Sequence, residues 1–207
     1  MRSGPLPASN PANRIGSLWP QPALNILTVT FQCVRVRAGR HGRVLPRKRI
    51  VVGMTLLDRA IASLQSAARN YEKDLAAMTD EQLMQSAGGA ARKPVDFTFE
   101  TALINRRIAA RIRGEEPEPE PEGEWWEAPE ELRNRAAITE YMRASCQAIL
   151  DAASGLSEEE AEKPIGESGS ERPPISFIHF AALHTMYHCA QLNFIQTLSG
   201  DLSMHWG

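Results

Sequence analysis

The chain has 207 residues, 43% of them hydrophobic and 23% charged, which is typical of one globular domain with an appendage. The sequence contains no run of eighteen apolar residues that could span a membrane. Residues 1–57 hold eight Arg, one Lys and no acidic residue, so residues 58–207 carry the other 14 basic residues against all 25 acidic ones, a net charge of −11. An acidic main part argues against a nucleic-acid partner, because phosphates select basic surfaces.

Residues 1–53 form a basic segment that is rich in Pro, Ser, Asn and Gly and has no helical period. We predict a disordered extension without a function of its own, and we interpret Met54, where the composition changes, as the true start of the protein. A transit peptide and a basic nucleic-acid-binding arm are the alternatives. Cys33, Cys146 and Cys189 lack the even count and short spacing of a disulfide framework. We therefore expect free thiols and a cytoplasmic protein.

Residues 54–207 are predicted to form a helical domain, because four stretches have apolar residues at steps of three and four. The second stretch is expected to have Asp96 as its N-cap and Gly114 as its stop, and the third to have Pro129 in its first turn. No stretch alternates like a strand. The fold class is therefore all-α, a four-helix bundle, whose predicted helices cover residues 54–78, 97–114, 128–155 and 177–198.

The connector between the second and third helices reads "EEPEPEPEGEWWEAPE", residues 115–130. Alternating Glu and Pro excludes a regular helix and repels itself, so an extended, solvated segment is predicted. Trp125 and Trp126 within it are expected to fold back onto the bundle or to rim a cleft. Packing against the core is the favoured role for them, with substrate contact as the alternative.

The last predicted helix, "HTMYHCAQLNFIQTLSGD", is the most apolar of the four, yet it carries His184 and His188 four residues apart. This spacing puts both imidazoles on one face, where they could aim at a common divalent metal ion. The alternative is a pair of ordinary histidines with hydrogen-bond partners. Cys189 points about 100° away from that face, which favours a small core residue over a nucleophile.

Two histidines need a third ligand from another helix, and Glu100 is the candidate. It lies in the apolar stretch "VDFTFETALI", where a solvated carboxylate is not expected. An ion pair with an arginine is the alternative reading of Glu100. The other histidines fit less well: His179 is on the opposite side of the helix from His188, and His205 is in the terminal "MHWG".

The last-helix segment resembles the final helix of the DinB/YfiT-like superfamily of metalloenzymes, whose motif is H-x-x-x-H-x-G-Q. "ETALINRRIAARIRGEEP" is similar to the second helix of that superfamily, which runs roughly H-x-x-x-x-E-x-R. The resemblance covers residues 54–207 and includes His184, His188 and Gln191. Ala190 replaces the motif glycine, and Asn105 stands where an acid is frequent.

This resemblance implies a four-helix bundle with one long crossover and a divalent metal held by three histidines. His184 and His188 match two of them, whereas Glu100 stands in the place of the third. The implied metal ligands are therefore Glu100, His184 and His188, and the implied ion is Zn²⁺, Ni²⁺, Fe²⁺ or Mn²⁺. A carboxylate in this place either gives a harder metal site or marks a member of the superfamily that has lost tight binding.

Characterised relatives in that superfamily include transferases and isomerases that use low-molecular-weight thiols. The resemblance thus implies a metal-dependent thiol S-transferase or hydrolase, with a small-molecule substrate and a small thiol as partners. A non-catalytic metal-binding or structural bundle is the alternative. No nucleic-acid or membrane partner is expected, and a homodimer is compatible with the fold.

Overall fold

The computed structural model describes residues 53–123, 125–166 and 170–206, so the predicted extension lies, apart from Gly53, outside the described residues. Within these ranges, one 3₁₀ turn covers Glu130–Leu132 and the only strand-like pairing is a single bridge from Ile165 to Arg172. None of the described helices is long and apolar enough to cross a membrane. The α-helices are α1 (Leu56–Ala77), α2 (Asp80–Met84), α3 (Pro94–Arg113), α4 (Arg135–Ser154), α5 (Glu158–Glu162) and α6 (Pro174–Leu198).

Local signals set most of the long helices' ends. Thr55 starts α1 through a capping box with Asp58, in which each side chain binds the other residue's backbone N–H. Gly114 ends α3 at a φ of 72°, a left-handed conformation that favours glycine. The prediction of Asp96 as the N-cap of α3 is wrong: the helix begins at Pro94, and the buried Asp96 carboxylate accepts a hydrogen bond from the backbone N–H of Ala128 at 2.9 Å.

Four long helices form the bundle, in which α1 packs on α6 and α4, and α3 packs on α4 and α6. Contacts between side chains show which of these helices run parallel and which run antiparallel. Phe97 stacks on His188 and Glu100 faces His184, so α3 and α6 are antiparallel. Phe99 lies against Tyr141 while Asn105 lies against Cys146 further along both helices, so α3 and α4 are parallel.

The parallel pair α3 and α4 requires the connector to return along the length of α3, about 30 Å for a 20-residue helix. The connector returns as an extended segment, as predicted, and it forms the long crossover of the fold. Its glutamates are not merely solvated, because Glu118 pairs with Arg106 and Glu120 pairs with Arg107 at 2.9 Å. The connector reaches the start of α3 at Ala128, and α4 then begins at Arg135 rather than at the predicted position near Pro129.

The core between the four helices is apolar but contains several hydrogen-bonded polar groups. Tyr71 of α1 and Thr98 of α3 share a buried hydrogen bond of 2.7 Å between their hydroxyl oxygens. The thiols of Cys146 and Cys189 are free and buried, as predicted, and burial raises the pKa of both. Cys33 lies outside the described residues. Asp74 of α1 accepts hydrogen bonds from the Cys189 thiol at 3.0 Å and the Trp206 indole at 2.7 Å, which ties both α6 and the segment after it to α1.

Candidate metal centre

The antiparallel packing of α3 and α6 brings Glu100 opposite His184 and His188. The Nε2 atoms of the two histidines are 3.1 Å apart, and they lie 3.7 Å and 3.9 Å from Oε1 of Glu100. One potential ligand atom from each of the three residues lies within 4.8 Å of the other two. The three residues that the sequence singled out therefore form one cluster.

Neighbouring side chains hold His188 in a defined orientation. Its Nδ1–H donates a hydrogen bond to Oε1 of Gln191 at 2.7 Å, which leaves the lone pair of Nε2 facing the cluster. Phe97 stacks on one side of the ring at a centroid distance of 5.1 Å, and Tyr187 meets it edge-on at 4.9 Å. Burial, with the adjacent His184, lowers the pKa of His188 to about 4. The imidazole is therefore neutral at pH 7, the form that binds metals.

His184 is packed differently. Phe180, one helical turn earlier on α6, stacks on the ring at a centroid distance of 5.5 Å. The Nδ1 atom is buried and has no hydrogen-bond partner, so only Nε2 faces other polar groups. His188 thus has its outer nitrogen fixed by an amide, whereas the outer nitrogen of His184 has no partner and its ring packs on Phe180.

Glu100 uses its two oxygens for different partners. Oε1 faces the histidines, while Oε2 forms an ion pair with Arg92 in the loop before α3. The guanidinium of Arg92 also donates to the backbone carbonyl of Trp126 at 3.2 Å and lies 5.1 Å from the Trp125 ring centroid. Burial would raise the pKa of Glu100, but the adjacent His184 and Arg92 outweigh it and lower this pKa to about 2.

The cluster fits a divalent cation in both chemistry and spacing. Two imidazoles and one carboxylate form a donor set used by catalytic zinc sites and by non-haem iron(II) sites. Ligand atoms at 2.0–2.1 Å around a tetrahedral ion lie about 3.3 Å apart. The observed separations of 3.1 Å, 3.7 Å and 3.9 Å differ from that value by about 0.2 to 0.6 Å.

A cavity of about 560 Å³ opens beside the cluster. Aromatic and aliphatic side chains make up much of its wall, including Phe97, Trp125, Tyr187 and Phe194. Trp126 packs partly buried against the core, as favoured for the pair, whereas Trp125 is 69% exposed at the rim of the cavity. Packing against the core is thus confirmed for Trp126, whereas substrate contact by Trp125 stays a prediction.

The remaining candidates from the sequence lie elsewhere. His205 bonds to Asp201 at 2.9 Å, and His179 is exposed on α6. Asn105 is buried, with its amide nitrogen 3.5 Å from both the Ser145 hydroxyl and the Cys146 thiol, so it does not join the cluster. Sequence reasoning missed Arg92, although an arginine partner for Glu100 was one of the two readings considered.

The fold and this cluster define a four-helix bundle with a candidate metal centre shared by two helices. The chain belongs to the DinB superfamily, whose family model matches residues 63–192. A comparison with curated proteins gave no match.

Two solved structures have a similar fold. The conserved protein of locus from Enterococcus faecalis is 16% identical, with a TM-score of 0.58 over 72% of this chain and 100% of that one. A DinB-like protein from Bacillus cereus ATCC 10987 is 17% identical, with a TM-score of 0.52 over 68% of this chain and 91% of that one. At these identities the likeness concerns the fold alone.

Proposed function

We propose that Glu100, His184 and His188 bind one divalent metal ion and that the protein is a metal-dependent enzyme of the thiol S-transferase type. The observation that supports the proposal most strongly is the convergence of three potential ligand atoms within 4.8 Å, from residues on two antiparallel helices. Zn²⁺, Ni²⁺, Fe²⁺ and Mn²⁺ are the candidate ions, because imidazole and carboxylate donors suit all four.

Three protein ligands leave room for a further ligand, which is the arrangement of catalytic sites rather than closed structural ones. When bound, a divalent cation stabilises a thiolate or hydroxide at neutral pH, where the free thiol or water would stay protonated. The chain's own residues hold and orient the ligands: Gln191 fixes the His188 ring, and Arg92 holds the Glu100 carboxylate. The cavity walls around Trp125 and Tyr187 would exclude water from an apolar substrate body.

Cobalt substitution tests the ligand set directly. Co²⁺ added to metal-free full-length protein should produce visible absorption bands of a low-coordinate site, saturating near one equivalent. His184→Ala and His188→Ala should abolish these bands. His179→Ala, at an exposed position on the same helix, is the matched control and should leave them unchanged. Equal spectra in all four proteins would refute the ligand assignment.

The S-transferase part has a separate test. A low-molecular-weight thiol such as glutathione, added to the cobalt-loaded protein, should produce a near-ultraviolet sulfur-to-cobalt charge-transfer band if the thiolate enters the open position. Transfer of that thiol to an electrophile such as 1-chloro-2,4-dinitrobenzene should then depend on the metal and on His188. A thiol that leaves the cobalt spectrum unchanged would contradict the transferase mechanism while leaving the metal site intact.

A second candidate function is a structural bundle without catalysis, and the ion pair of Arg92 with Glu100 favours it. This pair neutralises the carboxylate without any metal, so the cluster can be stable as it stands. If that is its role, Glu100→Gln should destabilise the fold by leaving the Arg92 guanidinium without its carboxylate partner, and no added divalent ion should raise the unfolding temperature. The metal proposal predicts the opposite: the unfolding temperature of the wild type should rise with the concentration of the divalent ion.

A further inference from the structure

An exposed apolar stripe runs along α6 beside the candidate metal centre. It consists of five large side chains, each between 47% and 64% exposed. At 100° per residue they fall within about 60° of the helix circumference, and from the first to the last they cover about 27 Å. The members of this α6 stripe are Phe180, Leu183, Tyr187, Phe194 and Leu198.

The stripe is large for a free surface. An aromatic side chain carries about 200 Å², so the five partly exposed residues together present roughly 500 Å². That area is near the upper end of the largest apolar patch on a typical monomer, which is often functional. It also amounts to more than half of the roughly 800 Å² that each partner buries in a stable interface.

The charge of this surface points to its occupant. Helix α6 contains no Asp, Glu, Lys or Arg over its 25 residues, although residues 58–207 carry a net charge of −11. A basic protein, an acidic protein or an anionic membrane would be recognised through charge, which α6 does not offer. The chain as a whole has a net charge of only −2, so no strong repulsion opposes the approach of a second copy through a face that is both apolar and uncharged.

We propose that the α6 stripe is the contact between two copies of this chain, related by a two-fold axis. A two-fold contact joins the same patch on both copies and therefore needs a self-complementary surface, which an uncharged apolar stripe provides. The contact lies next to the cavity, because Tyr187, Phe194 and Leu198 belong to both the stripe and the cavity wall. A second copy on the stripe therefore borders the cavity.

The stripe also touches the histidines themselves. Phe180 stacks on the His184 ring, and Tyr187 meets the His188 ring edge-on. Formation of the dimer thus fixes the aromatic side chains that pack on the two imidazoles. The dimer itself does not depend on a bound metal; only its effect on the metal centre rests on the function proposed above.

Sedimentation velocity of the full-length protein over a range of concentrations tests the contact. The wild type is expected to show a dimer that dissociates on dilution. Leu183→Glu puts a charge in the stripe without changing a residue of the cavity wall, and it should weaken the dimer at least about tenfold. Ala144→Glu, which adds the same charge at an exposed position of α4, is the matched control and should change the dissociation constant less than about twofold.

Hydroxyl-radical footprinting identifies what covers the stripe. Protection of Tyr187 and Phe194 that rises with protein concentration and disappears in Leu183→Glu supports the second copy. Protection that does not change with concentration would overturn the proposal in favour of a cover from the same chain, such as residues 1–52. A monomer at all concentrations with an unprotected stripe would also overturn it. Circular dichroism confirms that the variants are folded, and Phe180→Lys replaces Leu183→Glu if the latter does not fold.

Discussion

Gln191 determines which nitrogen of His188 carries the proton, so its removal should weaken metal binding without changing a ligand. Its Oε1 accepts the hydrogen bond from Nδ1–H of His188 at 2.7 Å, and the His188 side chain is only 4% exposed. Gln191→Leu removes this acceptor but keeps a side chain of similar size. The imidazole then has no buried partner for its Nδ1–H, and the tautomer with the proton on Nε2 becomes competitive.

The size of the effect follows from one buried hydrogen bond to a ligand. Outer-shell partners of this kind change metal affinity by 10- to 100-fold, about 1.4–2.8 kcal/mol. We therefore expect the zinc dissociation constant of Gln191→Leu to rise by that factor. Gln191→Glu keeps an acceptor oxygen in the same place and should bind zinc at least as tightly as the wild type.

Competition with a chromophoric zinc chelator at neutral pH measures both constants. Gln147→Leu, which changes an exposed glutamine of α4, is the matched control and should match the wild type. An unchanged affinity in Gln191→Leu would refute the argument that this hydrogen bond prepares His188. So would a Gln191→Glu variant that binds zinc as weakly as Gln191→Leu does.

Three further predictions concern stability and reactivity. Trp206→Phe removes one of the two donors to the buried Asp74 carboxylate. Urea titrations should show a loss of about 1–3 kcal/mol in the free energy of unfolding. The control Trp125→Phe, at an exposed ring, should lose less than about 0.5 kcal/mol. Because burial lowers the pKa of His188 from 6.5 to about 4, the unfolded chain binds a proton between these values that the folded chain does not. The metal-free protein should therefore lose about 2–3 kcal/mol as the pH falls from 6.5 to 4.5, and His188→Gln should remove this loss; an equal loss in the variant would contradict it. Burial raises the pKa of Cys146 to about 11, so iodoacetamide should modify that thiol only after unfolding, as mass spectrometry of its peptide would show; modification of the native protein would count against its burial.

The long helices could be predicted because the apolar period and the local breakers agree. Gly114 ends α3 as expected, and α6 covers its predicted range plus three residues. The starts of α3 and α4 were misplaced for a tertiary reason. Asp96 has the chemistry of an N-cap, yet its carboxylate binds the returning connector at Ala128. No local pattern contains that contact, which joins residues 32 positions apart.

The candidate site was predictable in its parts but not in its surroundings. The spacing of His184 and His188 gave their common face, and an acid in an apolar stretch singled out Glu100. Arg92 was not found, because it lies in a loop whose position depends on how the connector and α3 pack. The α6 stripe could not be predicted either, because the sequence of a helix that is apolar on all sides does not indicate which side stays exposed.

Metal content tests the central claim most directly. Full-length protein purified without a histidine tag should contain close to one divalent ion per chain by plasma mass spectrometry, and His188→Ala should contain almost none. If neither protein holds a metal after loading with Zn²⁺, Ni²⁺, Mn²⁺ and Fe²⁺, the metal centre is refuted. Glu100 then serves only as the partner of Arg92 in a structural bundle.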